Sequence, residues 1–353
     1  MSNLHVLYDK FEVSPWLDNL SRELITTGKL QSYIDQGVRG LTSNPSIFEK
    51  AFASGDYKEP LEVLLSQGKS KEEAYWQLAV EDIQSACDLL KPVFEASGHD
   101  DGYVSLEVTP ELAFDAGKTV TQAKDLWARV DRPNLMIKIP ATEACLPAIT
   151  EVLASGINVN VTLIFSLHRY LQVINAFVSG VEKLEDPSLV RSVASFFVSR
   201  VDTEVDERVK DPRLSGLAAV AQAKAAYGIF LESFSPYAER WSALEKRGAK
   251  AQRVLWASTS TKNPLYPDLK YVEGLLTKNS VNTLPDATID AILDHAKFEE
   301  AQSISSADIE EAHDQLALLQ ANGINMVEVS AKLEKEGVEK FQEAFRNMLT
   351  ALN

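Results

Sequence analysis

With 353 residues and 45% apolar side chains, the chain can bury a large core, and its length fits one elaborated α/β barrel or up to about three smaller domains. Fifty-one Asp and Glu against 35 Lys and Arg leave a net charge of −16, which argues against nucleic acid and anionic membranes as partners but permits an anionic small molecule in a local basic pocket. Cys87 and Cys145 are too few for a disulfide scaffold and belong to no CxxC pair, residues 1–9 lack a basic and then apolar leader, and no run reaches ~18 apolar residues, so buried structural thiols and a cytoplasmic location are expected.

Short β-like runs recur at 15–17, 38–42, 103–108, 135–139, 159–165, 193–198, 254–257 and 281–284. Between them, residues 20–31, 110–130, 143–154 and 167–184 carry apolar side chains at helical spacing. Strand and helix in alternation imply right-handed crossovers and a parallel sheet, and eight such units predict closure into a TIM (β/α)8 barrel. An open doubly wound sheet fits the same alternation. Residues 50–102 are too long for a simple crossover and contain a helix opened by a capping box, Ser70 with Glu73. Residues 215–250 are likewise read as mostly helix. The tail from 286 onward reads as helical, ending in an amphipathic helix over 330–352 that packs on the barrel. No Pro/Gly/Ser tract interrupts the pattern, so residues 1–353 are expected to form one barrel domain, with extra helices after the second strand and at the C-terminus.

Polar residues inside the strands carry the chemistry. Leu135-Met136-Ile137-Lys138-Ile139-Pro140 sets one lysine in an apolar strand, with Met136, Lys138 and Pro140 on one face. An ammonium taken out of water costs several kcal/mol, and the usual response is easier loss of its proton, which creates a nucleophilic amine. The competing reading is a strand-end lysine whose stem snorkels to water. Glu107 in Val104-Ser105-Leu106-Glu107-Val108, Thr162 in the run 159–165 and Asp18 after Trp16-Leu17 are further polar groups in or ending β runs. Each alone fits a rim residue bonded to backbone; together with Lys138 they point to the catalytic face of a barrel.

The run Gly40-Leu41-Thr42-Ser43-Asn44-Pro45 carries a strand into a helix, so Asn44 either caps that helix or turns its amide into the barrel mouth. Arg200, after Ser195-Phe196-Phe197-Val198-Ser199, and Ser258 with Lys262, after Trp256, are candidate anion ligands. For Arg200 the alternative is a surface ion pair with Asp202 or Glu204. No Walker loop or GxGxxG occurs, and His5, His99, His168, His295 and His313 are scattered, so neither a nucleotide cofactor nor a metal is expected.

Residues 40–49, 135–142, 160–166, 195–200 and 256–264, in this order, resemble the transaldolase family in its longer bacterial form. The resemblance implies a TIM barrel, no cofactor, sugar-phosphate substrates and Schiff-base transfer of a dihydroxyacetone unit, from sedoheptulose 7-phosphate to glyceraldehyde 3-phosphate. It further implies Lys138 as the Schiff-base lysine, Asp18 as acid/base, Glu107 and Thr162 as holders of a catalytic water, Asn44 and Ser195 as ligands of the dihydroxyacetone hydroxyls, and Arg200 as a phosphate ligand. The chain reads Ser258-Thr259-Ser260-Thr261-Lys262 where shorter members carry a second arginine and longer ones a glycine in place of Ser260. The second phosphate cation is therefore open between Lys262 and another residue. Two rival readings stand beside transfer: an aldolase of the related fructose 6-phosphate type, whose members carry a tyrosine near the position of Glu107, and a non-catalytic sugar-phosphate-binding barrel.

Overall fold

A computed structural model describes residues 2–352, and its eight parallel strands pair in chain order until the last meets the first. They are β1 (Val13–Leu17), β2 (Gly40–Thr42), β3 (Val104–Glu107), β4 (Leu135–Pro140), β5 (Val159–Ile164), β6 (Ser192–Phe197), β7 (Arg253–Ala257) and β8 (Ser280–Leu284). Closure rules out the open sheet. It also removes both sheet edges, so every strand except the first residue of β7 is buried throughout. Gly40 permits the tight β1–β2 approach, because a Cβ there would lie 2.5 Å from the Trp16 ring.

The helices depart from expectation in places with physical causes. Residues 20–31 do not form one helix; the chain turns at Gly28, whose φ of 77° breaks it into Arg22–Thr26 and Lys29–Asp35. The segment 215–250 is mostly helix, as expected, in two pieces, Ala218–Ser233 and Glu239–Glu245. A helix at Asn3–Phe11, absent from the sequence reading, buries Leu4, Leu7 and Phe11 and precedes β1. The insertion after β2 holds the 26-residue helix Lys71–Ala96, opened by the Ser70–Glu73 capping box. Cys87 and Cys145 are free and buried, as expected.

Residues Pro212–Ser233 are long and apolar enough to match a membrane span by composition, with mean hydropathy 1.3, yet 56% of that stretch is buried within the fold. Its helix packs on Ser306–Ala321, with Lys224 paired to Asp308 at 3.5 Å, which identifies a core helix.

The tail forms three helices, and the last, Met326–Ala351, lies over the C-terminal ends of the strands. Its buried stripe includes Leu333, Gly337, Phe341, Phe345 and Met348. Ser330 donates to the Phe165 carbonyl just after β5 at 2.7 Å, and Phe345 packs on Tyr75 and Trp76 of the inserted helix. A Cβ on Gly337 would come within 3.0 Å of Leu163, so this helix sits directly against β5.

Candidate active site

Register explains why strand-embedded polar groups meet. Lys138 on β4 pairs with Glu107 on β3 and with Asn160 on β5, while Pro140 pairs with Thr162. Lys138 Nζ lies 3.3 Å from Glu107 Oε2 and donates to the Ser43 carbonyl at 3.1 Å. Both side chains are 5% exposed, so the strand-end snorkelling reading of Lys138 fails. Glu107 Oε2 and Thr162 Oγ1 make no aligned hydrogen bond to protein, although both are buried. Among the described residues Ser46, Tyr170, Gln222, Trp241 and Gln252 carry buried polar atoms in the same condition, so what distinguishes Glu107 and Thr162 is their place on the two strands that flank Lys138.

Beside Thr162, the β5 backbone shifts register between Val161 and Ile164, and Leu163 adopts φ 61°. Such a bulge re-aims neighbouring side chains, and a non-glycine residue in this region costs on the order of 1–3 kcal/mol. Ser258, just beyond β7, is held the same way at φ 57°. Two strained residues thus lie at the same end of the barrel.

Asp18, directly after β1, accepts a hydrogen bond from Thr42 at 2.7 Å, and Thr283 completes the relay with an oxygen 2.5 Å from that of Thr42. Burial pushes the Asp18 carboxyl above its usual range, and the charges of Lys138, Lys262 and Arg200 together with the Thr42 bond work against that push. Burial raises Glu107 to about 6, the positive charge of Lys138 again opposing it. A carboxyl near 6 exchanges protons readily around neutral pH.

One cavity of about 400 Å³ at the strands' C-terminal ends is lined by Asp18, Asn44, Lys138, Thr162, Ser195, Arg200, Ser258 and Lys262. Glu107 stands immediately behind Lys138. Asn44 fulfils both readings: its Oδ1 accepts from Ile47 N at 3.0 Å as a helix cap, and the residue still lines the cavity. Ser195 donates to Asn160 at 2.7 Å, and Asn160 donates to Ser105 at 3.0 Å, a chain that ties β6, β5 and β3 beneath the cavity floor. Arg200 pairs with neither Asp202, which binds Lys270 and Tyr271, nor Glu204, which binds Arg208 and Lys332. Its guanidinium lies over the Phe197 ring and faces the cavity instead.

His168 lies elsewhere, in a larger cavity of about 690 Å³ shared with His313 and Gln222, which has no residue in common with the site. Sequence reasoning missed Thr42, Thr283, Lys50, Lys340 and Phe341, all of which line the site. Thr42 was within reach, since it follows Gly40 on the same face of β2. Lys340 and Phe341 reach the site from the far end of the chain; Phe341 places its ring 5.8 Å from Lys138 Nζ.

The sequence profile of the transaldolase/fructose-6-phosphate aldolase family matches residues 15–352. The chain belongs to this family. It is 47% identical to the transaldolase of Saccharopolyspora erythraea over 99% of this chain and 96% of that one. Identity reaches 48% with transaldolase 2 of Streptomyces coelicolor, covering 96% and 93% of the two chains, and 48% with the transaldolase of Thermobifida fusca, covering 96% and 94%. The family resemblance carried by the strand motifs therefore extends along nearly the whole chain.

Proposed function

We propose that this protein is a cytoplasmic transaldolase, a single barrel domain that moves a dihydroxyacetone unit from sedoheptulose 7-phosphate to glyceraldehyde 3-phosphate, yielding erythrose 4-phosphate and fructose 6-phosphate in the non-oxidative pentose phosphate pathway. The observation that carries this reading is the buried Lys138 amine, 3.3 Å from a carboxylate and opening on a cavity whose mouth holds Arg200 and Lys262. Binding alone gives no reason to bury an amine there.

In this mechanism Lys138 Nζ, as free amine, attacks the donor's C2 carbonyl and forms a carbinolamine. Glu107 and Thr162 hold a water that carries protons while the C2 oxygen leaves as water, and the product is a cationic imine. Asp18 as carboxylate takes the proton from the C4 hydroxyl; the C3–C4 bond breaks, its electron pair enters the imine as an enamine, and the C4 aldehyde departs. Asn44 and Ser195 retain the three-carbon enamine. The enamine attacks the acceptor aldehyde, whose oxygen takes the proton from Asp18 as the new C4 hydroxyl while the imine re-forms, and water hydrolyses that imine to free the product ketose and Lys138. Arg200, with Ser258 and Lys262, anchors the distal phosphate.

Borohydride added with fructose 6-phosphate tests the reading. A reduced three-carbon adduct on the peptide containing Lys138 is the expected mass-spectrometric result, and an unmodified Lys138 overturns the mechanism. Free dihydroxyacetone as the main product in the presence of acceptor aldehyde would assign the aldolase reaction instead.

A further inference from the structure

The cations at the cavity mouth are unequally provided with partners. Lys262 donates to Ser260 at 2.6 Å, but Lys50, Arg200 and Lys340 make no hydrogen bond or ion pair among the described residues, in a chain where acids outnumber bases 51 to 35. On the helix Met326–Ala351 that carries Lys340, the neighbouring lysines do find acids. Lys332 meets Glu204 at 2.6 Å, and Lys335 meets Glu339 at 3.8 Å.

Position explains the difference. Lys340 lies one turn from Gly337 and from Ala344, at the edge of the helix's buried stripe and next to Phe341. At Gly337 the bare backbone lets Arg200 come close: its Nη1 is 3.7 Å from where a Cβ would stand. Arg200 and Lys340 are therefore neighbours across the seam between barrel and helix. Lys262 and Lys340 are exposed at the cavity rim, where partial desolvation and then the Arg200 charge hold both below their ordinary values against the opposing pull of Asp18 on Lys262 and Glu49 on Lys340; a dianion between them would relieve the repulsion.

We propose that Lys340 is a ligand of the substrate phosphate together with Arg200 and Lys262, so that the C-terminal helix covering the barrel mouth takes part in phosphate recognition. The inference rests on the transferase reading for the identity of the substrate, but not for the anion site. It adds a third cation, from the far end of the chain, to Arg200 and to Lys262 in the serine- and threonine-rich run after β7.

The test uses the full chain and the variants Lys340→Met and Lys340→Arg, with unphosphorylated glyceraldehyde as acceptor and either fructose 6-phosphate or fructose as donor. Lys340→Met should lower the ratio of kcat/KM for the phosphorylated over the unphosphorylated donor by about 10-fold, mostly through KM, as loss of one charge-assisted contact implies. Lys340→Arg should restore most of that ratio. Inorganic phosphate, titrated calorimetrically, should bind the Lys340→Met variant about 10-fold more weakly than the unaltered protein. Equal losses with both donors and unchanged phosphate affinity would reduce Lys340 to a helix-seating role and overturn the proposal. If the unaltered protein turned over neither donor, the transferase reading would fail, and the phosphate titration would still decide the role of Lys340.

Discussion

Both ends of the barrel bury charge, and they treat it in opposite ways. At the N-terminal end of the strands, Asp101 is 1% exposed and accepts from Ser14 at 2.5 Å, Trp16 at 2.8 Å, Arg39 at 2.8 Å and Arg253 at 3.2 Å. At the C-terminal end, Lys138 and Glu107 face each other at 3.3 Å while Glu107 Oε2 and Thr162 Oγ1 lack aligned partners, and the half-buried Arg200 has no ion pair among the described residues. A saturated network leaves nothing to offer a substrate. Unmet capacity costs stability wherever it occurs, as at Gln252 before β7, and beside Lys138 it also leaves groups free for a substrate. Ser14, Trp16 and Asp18 alternate along one face of the same chain segment, so the two regimes are separated by one strand's length.

Substitutions at the two ends should therefore fail differently. The largest effect is expected for Lys138→Met, which removes the proposed nucleophile: turnover measured by a coupled assay should fall about 10⁴-fold or more, and retention of a tenth of the activity would end the Schiff-base account. Asp18→Ala should cost ~10²–10⁴-fold in turnover while leaving the borohydride adduct on Lys138 detectable, since in the proposed mechanism the carboxylate acts after the imine forms. At the opposite end, Asp101→Ala should destabilise the fold by about 3–5 kcal/mol in urea melts, because Arg39 and Arg253 lose their shared acceptor, with activity per folded molecule changed less than about 2-fold. A large loss of turnover without loss of stability there would erase the distinction.

Smaller effects sharpen the picture of the catalytic end. Burial pushes Glu107 up to about 6, and the proposed role requires it charged, so kcat/KM should decline as pH falls through about 6, and Glu107→Gln should remove that acid limb along with much of the rate. Thr42→Val deletes the 2.7 Å bond to Asp18 and should reduce turnover about 10-fold, with donor KM little changed. A KM effect alone would mean that Thr42 touches substrate instead of orienting the aspartate.

The eight strands, their parallel order and the placement of Lys138, Glu107, Thr162 and Asp18 were legible in the sequence because period-two patterning and βα alternation are local properties of the chain. So was the Asn44 cap, whose residue type and following proline announce a helix start. What local pattern could not decide was which surfaces meet across hundreds of residues. The split at Gly28, the bulge at Leu163 that aims Thr162, the rejection of Asp202 and Glu204 by Arg200, and the arrival of Lys340 and Phe341 over Lys138 all depend on closure of the barrel and the docking of the last helix. The sequence by itself determined which side chains would stand on the inner face of each strand. The tertiary structure alone decided which of them would be left without partners, because hydrogen bonds and ion pairs are settled by distances that only packing defines.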